Sequence, residues 1–226
     1  MQKFYKASGV LLLTGLLALA AAPANAAEAT TKWASGLYAT ASIGQTRADM
    51  DDLAGFDVDD TDIGYSVGIG YEFNKYLAFE AGYINLGEVT ATATGNYSGT
   101  YNGAPFTATG TVNLEAETDG FYFGPQVSFP VTDRLDLYAK VGLFSWDVDV
   151  KAIASGSLTY GGTVYAGSSE ATASDDGTDV YFGAGLSYDV TDIITVKADW
   201  TRFNDVSDTD IDFIAAGLVF KFGKLF

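Results

Sequence analysis

Apolar and polar residues alternate along most of the chain after residue 36, and the last stretch shows the pattern most clearly. With a period of two, Ile214, Leu218 and Phe220 share one face, while Gly217 and Lys221 share the other. A soluble sandwich strand would oppose such a core face with a charged surface, but here large apolar residues continue to the chain end. This pattern is typical of a lipid-facing barrel strand.

Seven further segments alternate in the same way. They cover residues 36–46, 62–73, 77–86, 119–129, 135–146, 179–188 and 194–203. Short turns alternate along the chain with long connections, the turns at 74–75, 130–134 and 190–192 and the connections at 47–61, 87–118, 147–178 and 204–210. The sequence therefore predicts an all-β fold, an eight-stranded antiparallel transmembrane up-and-down β-barrel whose short turns are periplasmic.

Two of the long connections contain weakly alternating stretches rich in Thr, Ala and Val, at residues 89–94, 107–112 and 152–165. They predict either hairpins that continue beyond the membrane or irregular loops, and both interpretations stay open. The upper end of the fifth predicted strand also loses the alternation.

The first 26 residues have the features of an export signal. Lys3 and Lys6 precede an apolar run at 10–22, which is shorter than the ~20 residues that a helix needs to cross a bilayer. Residues 24–26 read Ala-Asn-Ala, a typical cleavage site. We expect export through the Sec pathway, cleavage after Ala26 and a single barrel domain over residues 27–226. An uncleaved N-terminal anchor is the alternative.

Composition narrows the possible functions. The chain has 226 residues, of which 48% are hydrophobic, and this length suffices for one all-β domain. Its 12 Lys+Arg against 29 Asp+Glu disfavour nucleic-acid binding, which needs clustered cations. The absence of cysteine and histidine excludes thiol nucleophiles, His-ligated zinc and most general-base triads. We expect no enzymatic activity, no cofactor and no metal.

Aspartates concentrate in the predicted long connections. Residues 57–62 carry carboxylates at near-alternate positions, but they lack the glycine and the glutamate that complete a calcium loop. Asp51 and Asp52 belong to the same connection. A solvated acidic loop is the preferred interpretation. Calcium binding, or loose association with divalent ions at the lipopolysaccharide surface, is the alternative.

The inward faces of the predicted strands alternate glycine with a few charged side chains. A barrel of about eight strands is only wide enough for side chains to fill its interior, so we expect a narrow polar lumen. Charges in such a lumen must pair or meet water. The candidates are Glu72, Glu80, Asp136, Lys140, Lys197, Asp199 and Lys221. A packing and solvation network is the first interpretation, and a gated conduction path is the second.

Four segments resemble the OmpA-like transmembrane domain family of Gram-negative outer membranes. They read GYEFNKYLAFEAGY at 70–83, PVTDRLDLYAKVGL at 130–143, GAGLSYDVT at 183–191 and GLVFKFG at 217–223. The resemblance implies a lumenal salt-bridge gate that includes Glu80 and Lys197. Two further gate positions, lysine and glutamate in the family, fall on Gln126 and Ser187. The periplasmic peptidoglycan-binding domain of longer members is not expected here.

The functional expectation is a monomeric outer-membrane protein with a structural or surface-interaction role and at most a narrow, weakly conducting lumen. Its partners would be outer-membrane lipid, lipopolysaccharide, a host or surface ligand of the loops, and the barrel assembly machinery. Phe220, Phe222 and Phe226 resemble the signal that this machinery reads. The alternatives are a small porin-like channel gated by lumen charges, a lipid-modifying outer-membrane enzyme, and a soluble lipocalin-type barrel.

Overall fold

A computed structural model describes residues 36–49 and 57–222 of the chain. Its strands are β1 (Gly36–Asp49), β2 (Asp57–Asp59), β3 (Thr61–Asn74), β4 (Leu77–Tyr101), β5 (Ala104–Pro130), β6 (Leu135–Tyr160), β7 (Thr163–Asp189), β8 (Ile194–Val206) and β9 (Thr209–Lys221). The predicted export signal at residues 1–26, Phe226, and the loop residues Asp51 and Asp52 lie outside the described ranges.

The strands close into a ring. Each long strand pairs antiparallel with its neighbour in the chain, and β1 pairs with β9 from Tyr38↔Lys221 to Asp49↔Asp210. The short β2 pairs only with β4. The ring therefore has eight strands, and the predicted fold class is confirmed. Closure lets each of the eight ring strands pair on both sides, which a bilayer requires because lipid offers backbone groups no hydrogen-bond partner. Within the described ranges, no helix is long and apolar enough to cross a membrane.

The outer wall of the barrel is apolar. Ile69, Phe129 and Leu218 are each more than half exposed on this wall. Aromatic rings gather at both of its ends. Tyr83 and Phe121 contact each other at the end away from the short turns, and the pairs Tyr71–Phe73 and Phe220–Phe222 lie at the end near them. Two such aromatic belts are typical of the two interfaces of an outer-membrane barrel.

Strands β4 to β7 continue far beyond the other strands. β8 leaves β7 after the pair Tyr181↔Phe203, whereas β6 and β7 stay paired to Tyr160↔Thr163. Residues 88–101, 104–117, 147–160 and 163–178 thus form an open four-stranded sheet, which we call the blade. At ~3.3 Å per residue the blade rises roughly 40 Å above the barrel. The two connections left open by the sequence are therefore regular hairpins.

The two faces of the sheet exchange their chemistry where the wall becomes the blade. On β5 the outward residues are Phe123 and Phe121 in the wall, then Glu117 and Glu115 in the blade, while Leu114 faces inward. The register of β5 with β6 is unbroken, so the pleat keeps its parity. A bulge between Asn85 and Glu88 adjusts β4 to the same arrangement. This reversal marks the outer limit of the lipid-facing band, because outward side chains meet lipid below it and water above it.

We predict that the blade is extracellular and the short turns are periplasmic. The chain contains no cysteine, so single cysteines report one position each. A membrane-impermeant maleimide should label Ser155→Cys on intact cells, because Ser155 is exposed in the blade. Asp133→Cys, exposed in a short turn, should react only after permeabilisation. Labelling of Asp133→Cys on intact cells would reverse the topology.

Candidate functional site

The lumen next to the short turns contains a buried glutamate held by hydroxyl groups. Glu80 on β4 is 6% exposed, and the hydroxyls of Tyr38 and Tyr122 donate hydrogen bonds to its two carboxylate oxygens at 3.1 and 2.9 Å. Lys197 Nζ on β8 lies 3.9 Å from Glu80 Oε1. Strands far apart in the sequence thus bring Glu80 and Lys197 together, and the two tyrosines supply the shorter contacts.

A second cluster centres on Asp199. Lys140 Nζ on β6 donates to Asp199 Oδ2 at 2.6 Å, and the Tyr138 hydroxyl donates to Oδ1 at 3.0 Å. Thr201 Oγ1 donates to Oδ2 at 3.1 Å. Both ion pairs are buried, and the 2.6 Å separation of Lys140 and Asp199 makes theirs tighter than the 3.9 Å pair of Lys197 and Glu80.

A third group lies nearest to the short turns. Lys221 Nζ is 3.1 Å from Asp189 Oδ1 and 3.9 Å from Glu72 Oε1. Asp189 also accepts a hydrogen bond from Thr195. Sequence reasoning placed Glu72 and Lys221 inward but missed Asp189, which follows directly on the last alternating residues of its strand.

The two positions that depart from the family gate are neutral in the structure. Gln126 Nε2 donates to Ser128 Oγ at 3.4 Å. Ser187 lies opposite Lys197 in the register of β7 and β8. A serine there offers no second carboxylate, so Glu80 is the acceptor within ion-pair distance of Lys197.

Tyrosine rings in the lumen occupy the space that inward glycines leave. A Cβ atom at Gly70 would clash with the ring of Tyr38, and one at Gly68 or Gly82 would come within 3 Å of the Tyr122 hydroxyl. The sequence signal for these tyrosines was their inward parity opposite glycines on neighbouring strands. Small and large side chains therefore alternate across the lumen, as a narrow barrel requires.

A small cavity lies among these polar groups. Its volume is about 50 Å³, and Tyr38, Glu80, Lys197 and Asp136 contribute to its lining. This space can hold a few water molecules, since one water needs roughly 10–15 Å³ of such volume. Asp136 is 6% exposed, and its Oδ1 has no hydrogen-bond partner among the described residues, so water in the cavity is its natural partner.

The half of the lumen next to the blade is apolar, and here the expectation of a polar lumen is wrong. Phe144 is 0% exposed, and its ring centroid lies 4.6 Å from that of Phe203. We call the whole cluster the plug, and it consists of Ala48, Ile84, Leu86, Tyr122, Phe144, Trp146, Val148, Tyr181, Phe203, Val206, Ile211, Phe213 and Ala215. The alternation was read as apolar outside and polar inside along whole strands, so large residues of inward parity at the upper strand ends were overlooked.

The blade has a polar face and an apolar face. The polar face continues the lipid-facing side of the wall and carries Glu88, Glu115, Glu117, Asp147, Asp149, Lys151, Glu170 and Asp176 among Thr, Ser and Asn residues. Partial burial, followed by the charges of Glu115 and Glu117, raises the pKa of Glu88. In the described part of the chain, no group of three or more acidic residues is arranged to hold a metal ion.

Comparison with known proteins gives a consistent family. The model of the OmpA-like transmembrane domain matches residues 32–225. Outer membrane protein A of Klebsiella pneumoniae is 28% identical over 69% of this chain, and that of Shigella flexneri is 25% identical over 69%. These matches cover 40% and 39% of the two relatives, so the chain spans about two fifths of their length.

Solved structures of small outer-membrane barrels are also similar. The N-terminal barrel domain of Pseudomonas aeruginosa OprF aligns over 84% of this chain and 100% of its own, with 14% identity and a TM-score of 0.47. Ail of Yersinia pestis aligns over 83% of this chain and 99% of its own, with 16% identity and a TM-score of 0.46.

We predict a strong energetic coupling between Lys140 and Asp199. Lys140→Met alone leaves a buried carboxylate without its cation, and the loss in unfolding free energy should reach about 3 kcal/mol. Combining it with Asp199→Asn should recover part of that loss, with a coupling of about 0.5–3 kcal/mol in denaturant unfolding from detergent.

The exposed pair Lys151–Glu170 in the blade is a matched control, because its side chains are 43% and 56% exposed and Lys151 Nζ lies 3.7 Å from Glu170 Oε1. Its coupling should be close to zero, as is usual for solvated ion pairs. Equal couplings for both pairs would show that burial does not strengthen the lumen pair.

Proposed function

This chain belongs to the OmpA-like transmembrane domain family and lies in the outer membrane, and from that premise we propose that its barrel is an anchor that displays the blade at the cell surface. The observation that carries the proposal is the reversal of the two faces where the wall becomes the blade. Sealing a pore or anchoring the chain in lipid does not require a sheet that extends roughly 40 Å into water with one polar and one apolar face.

The plug supports an anchor over a channel. Ions passing along the lumen would have to cross the layer of Phe144, Phe203 and Phe213, each of which is at most 2% exposed. An apolar layer without room for water is a high barrier to a charge. The porin-like channel gated by lumen charges is the second candidate, favoured by the Glu80–Lys197 and Asp199–Lys140 pairs. In the proposed anchor these pairs stabilise the closed barrel.

The remaining partners follow from the surfaces of the barrel. The apolar wall would contact outer-membrane lipid, and the base of the polar blade face would stand among the sugars of lipopolysaccharide. The protein would be exported through Sec, cleaved after Ala26 and inserted by the barrel assembly machinery, with Phe220, Phe222 and Phe226 as part of the signal. Each protein would be a monomer in its own membrane, and its surface partner would bind the blade. No catalytic role is proposed.

We predict that the mature protein does not conduct in planar bilayers. The double variant Phe144→Ala/Phe203→Ala removes two rings from the plug and should give measurable conductance, because water can then enter the apolar layer. Phe121→Ala on the lipid-facing wall is the control and should stay silent. Stable single-channel steps from the unaltered protein would overturn the anchor and favour the gated channel.

We also predict that the barrel folds without the blade. Replacing residues 91–114 and 152–171 with short turns removes most of the blade and leaves the plug, the buried ion pairs and the ring closure in place. The shortened protein should keep the different gel mobilities of heated and unheated samples that mark a folded barrel. Loss of that difference would mean that the blade is part of the folding core and not a displayed element.

A further inference from the structure

Above its base, where Asp175 lies opposite Val148, the inner face of the blade is free of charge. Its residues are Val89, Ala91, Ala93, Gly95, Tyr97, Gly99 and Tyr101 on β4, Ala104, Phe106, Ala108, Gly110, Val112, Leu114 and Ala116 on β5, Val150, Ala152, Ala154, Gly156, Leu158 and Tyr160 on β6, and Thr163, Tyr165, Gly167, Ser169, Ala171 and Ala173 on β7. The chain has a formal net charge of −17, so a face of this size without charged residues differs from the acidic composition of the chain as a whole.

The half of this face near the blade tip has no cover among the described residues. Near the barrel, Ala91 is 5% exposed, and Val89 and Val150 pack against the plug. Toward the tip, Tyr97 and Tyr165 are 70% and 58% exposed. An apolar sheet face is stable in water when another layer packs on it, and in β-sandwiches that layer is a second sheet about 10 Å away.

The uncovered area is of the size that a weak interface needs. Four strands spaced ~4.8 Å apart and four rows of residues spaced ~6.7 Å apart give roughly 500 Å². Two copies of this face would bury about 1,000 Å² together, which is the lower end for a specific contact between proteins. Many copies on each of two surfaces would strengthen such a contact through avidity.

The tip half of the face is also complementary to itself. Gly95, Gly110, Gly156 and Gly167 form one row across all four strands, because each is the register partner of the next. The next row toward the tip carries Tyr97, Ala108, Leu158 and Tyr165. A two-fold axis between the two rows places the aromatic row of each copy over the glycine row of the other.

Charge and geometry both define the partner. An uncharged face lets two acidic chains meet without placing like charges directly against each other, and the tip half of the inner face is such a face. The inner face continues the lumen side of the wall without a break in the β5–β6 and β6–β7 register, so it looks over the mouth of its own barrel. A second barrel in the same membrane cannot occupy that position, but a blade arriving tip-first from an opposing membrane can.

We propose that the apolar face of the blade binds the same face of a second copy on an opposing membrane, as two antiparallel layers of a sandwich. This inference rests on the proposed function, in which the blade is the interacting element. It keeps each barrel a monomer in its own membrane, and it assigns the protein a role in contact between cells that both carry it.

The direct test compares two leucine substitutions on adjacent residues of β7. In Gly167→Leu the new side chain enters the glycine row, and a Cβ atom there meets nothing within 4 Å in the same chain. In Ala166→Leu the new side chain points to the polar face. Liposomes carrying the mature protein should cluster in light scattering, and Gly167→Leu should slow clustering about tenfold, because weakening each contact weakens the avidity of many. Ala166→Leu should not.

Cysteine crosslinking locates the contact. In the cysteine-free chain, Leu158→Cys on the inner face should be linked into dimers in detergent by a bis-maleimide that spans about 12 Å, the separation that sheets ~10 Å apart and rows ~6.7 Å apart give, while the adjacent Ser157→Cys on the polar face should remain monomeric. Clustering that needs protein on only one of two mixed liposome populations would identify a lipid surface as the occupant and overturn the proposal.

A separate measurement distinguishes a failure of self-recognition from a failure of the proposed function. Cells with the full blade and cells with the shortened blade are compared for binding to foreign surfaces and proteins. If liposomes do not cluster and no dimer forms, but only cells with the full blade bind a foreign partner, the blade is still an interacting element and self-recognition is wrong. If blade removal changes neither readout, both proposals are wrong.

Discussion

Closure of the sheet is the constraint on which the rest of the structure depends. Lipid offers no partner for backbone N–H and C=O groups, so the eight strands must form a ring, and β1 therefore pairs with β9. An eight-stranded ring leaves room only for side chains, and the lumen must be filled from the wall itself. Tyrosines opposite glycines and paired charges fill the half near the short turns, and the apolar plug fills the half near the blade.

The need for closure applies only within the lipid, and this permits the open sheet of the blade above it. Above the lipid, water can satisfy strand edges, so four strands continue as an open sheet while the others turn back. Outward positions no longer need to be apolar, and acidic and hydroxyl residues replace phenylalanine along β5. The apolar residues move to the inner face, where near the barrel they extend the plug and near the tip they stay exposed.

Much of this was predictable from the sequence, and the misses have one cause. Period-two alternation and short polar turns predict the wall, and parity alone predicts that Glu80 and Lys197 face the same lumen. Inward parity was equated with polar character, so Phe144 and Trp146 were read as a loss of pattern. They are the first residues of the reversed pattern. The partners of Glu80 and Asp199 also required coordinates, because register between distant strands decides which tyrosine hydroxyl reaches which carboxylate.

The central claim is that the reversal of the faces marks the membrane boundary, and β6 tests it most directly. Nitroxide labels at outward positions 137, 139, 141 and 143 should be accessible to oxygen in lipid, and labels at 147, 149, 151 and 155 should be accessible to a water-soluble nickel complex. The account predicts that the switch falls between residues 143 and 147 on this face. Lipid accessibility that continued to residue 155, or a switch below residue 139, would contradict it.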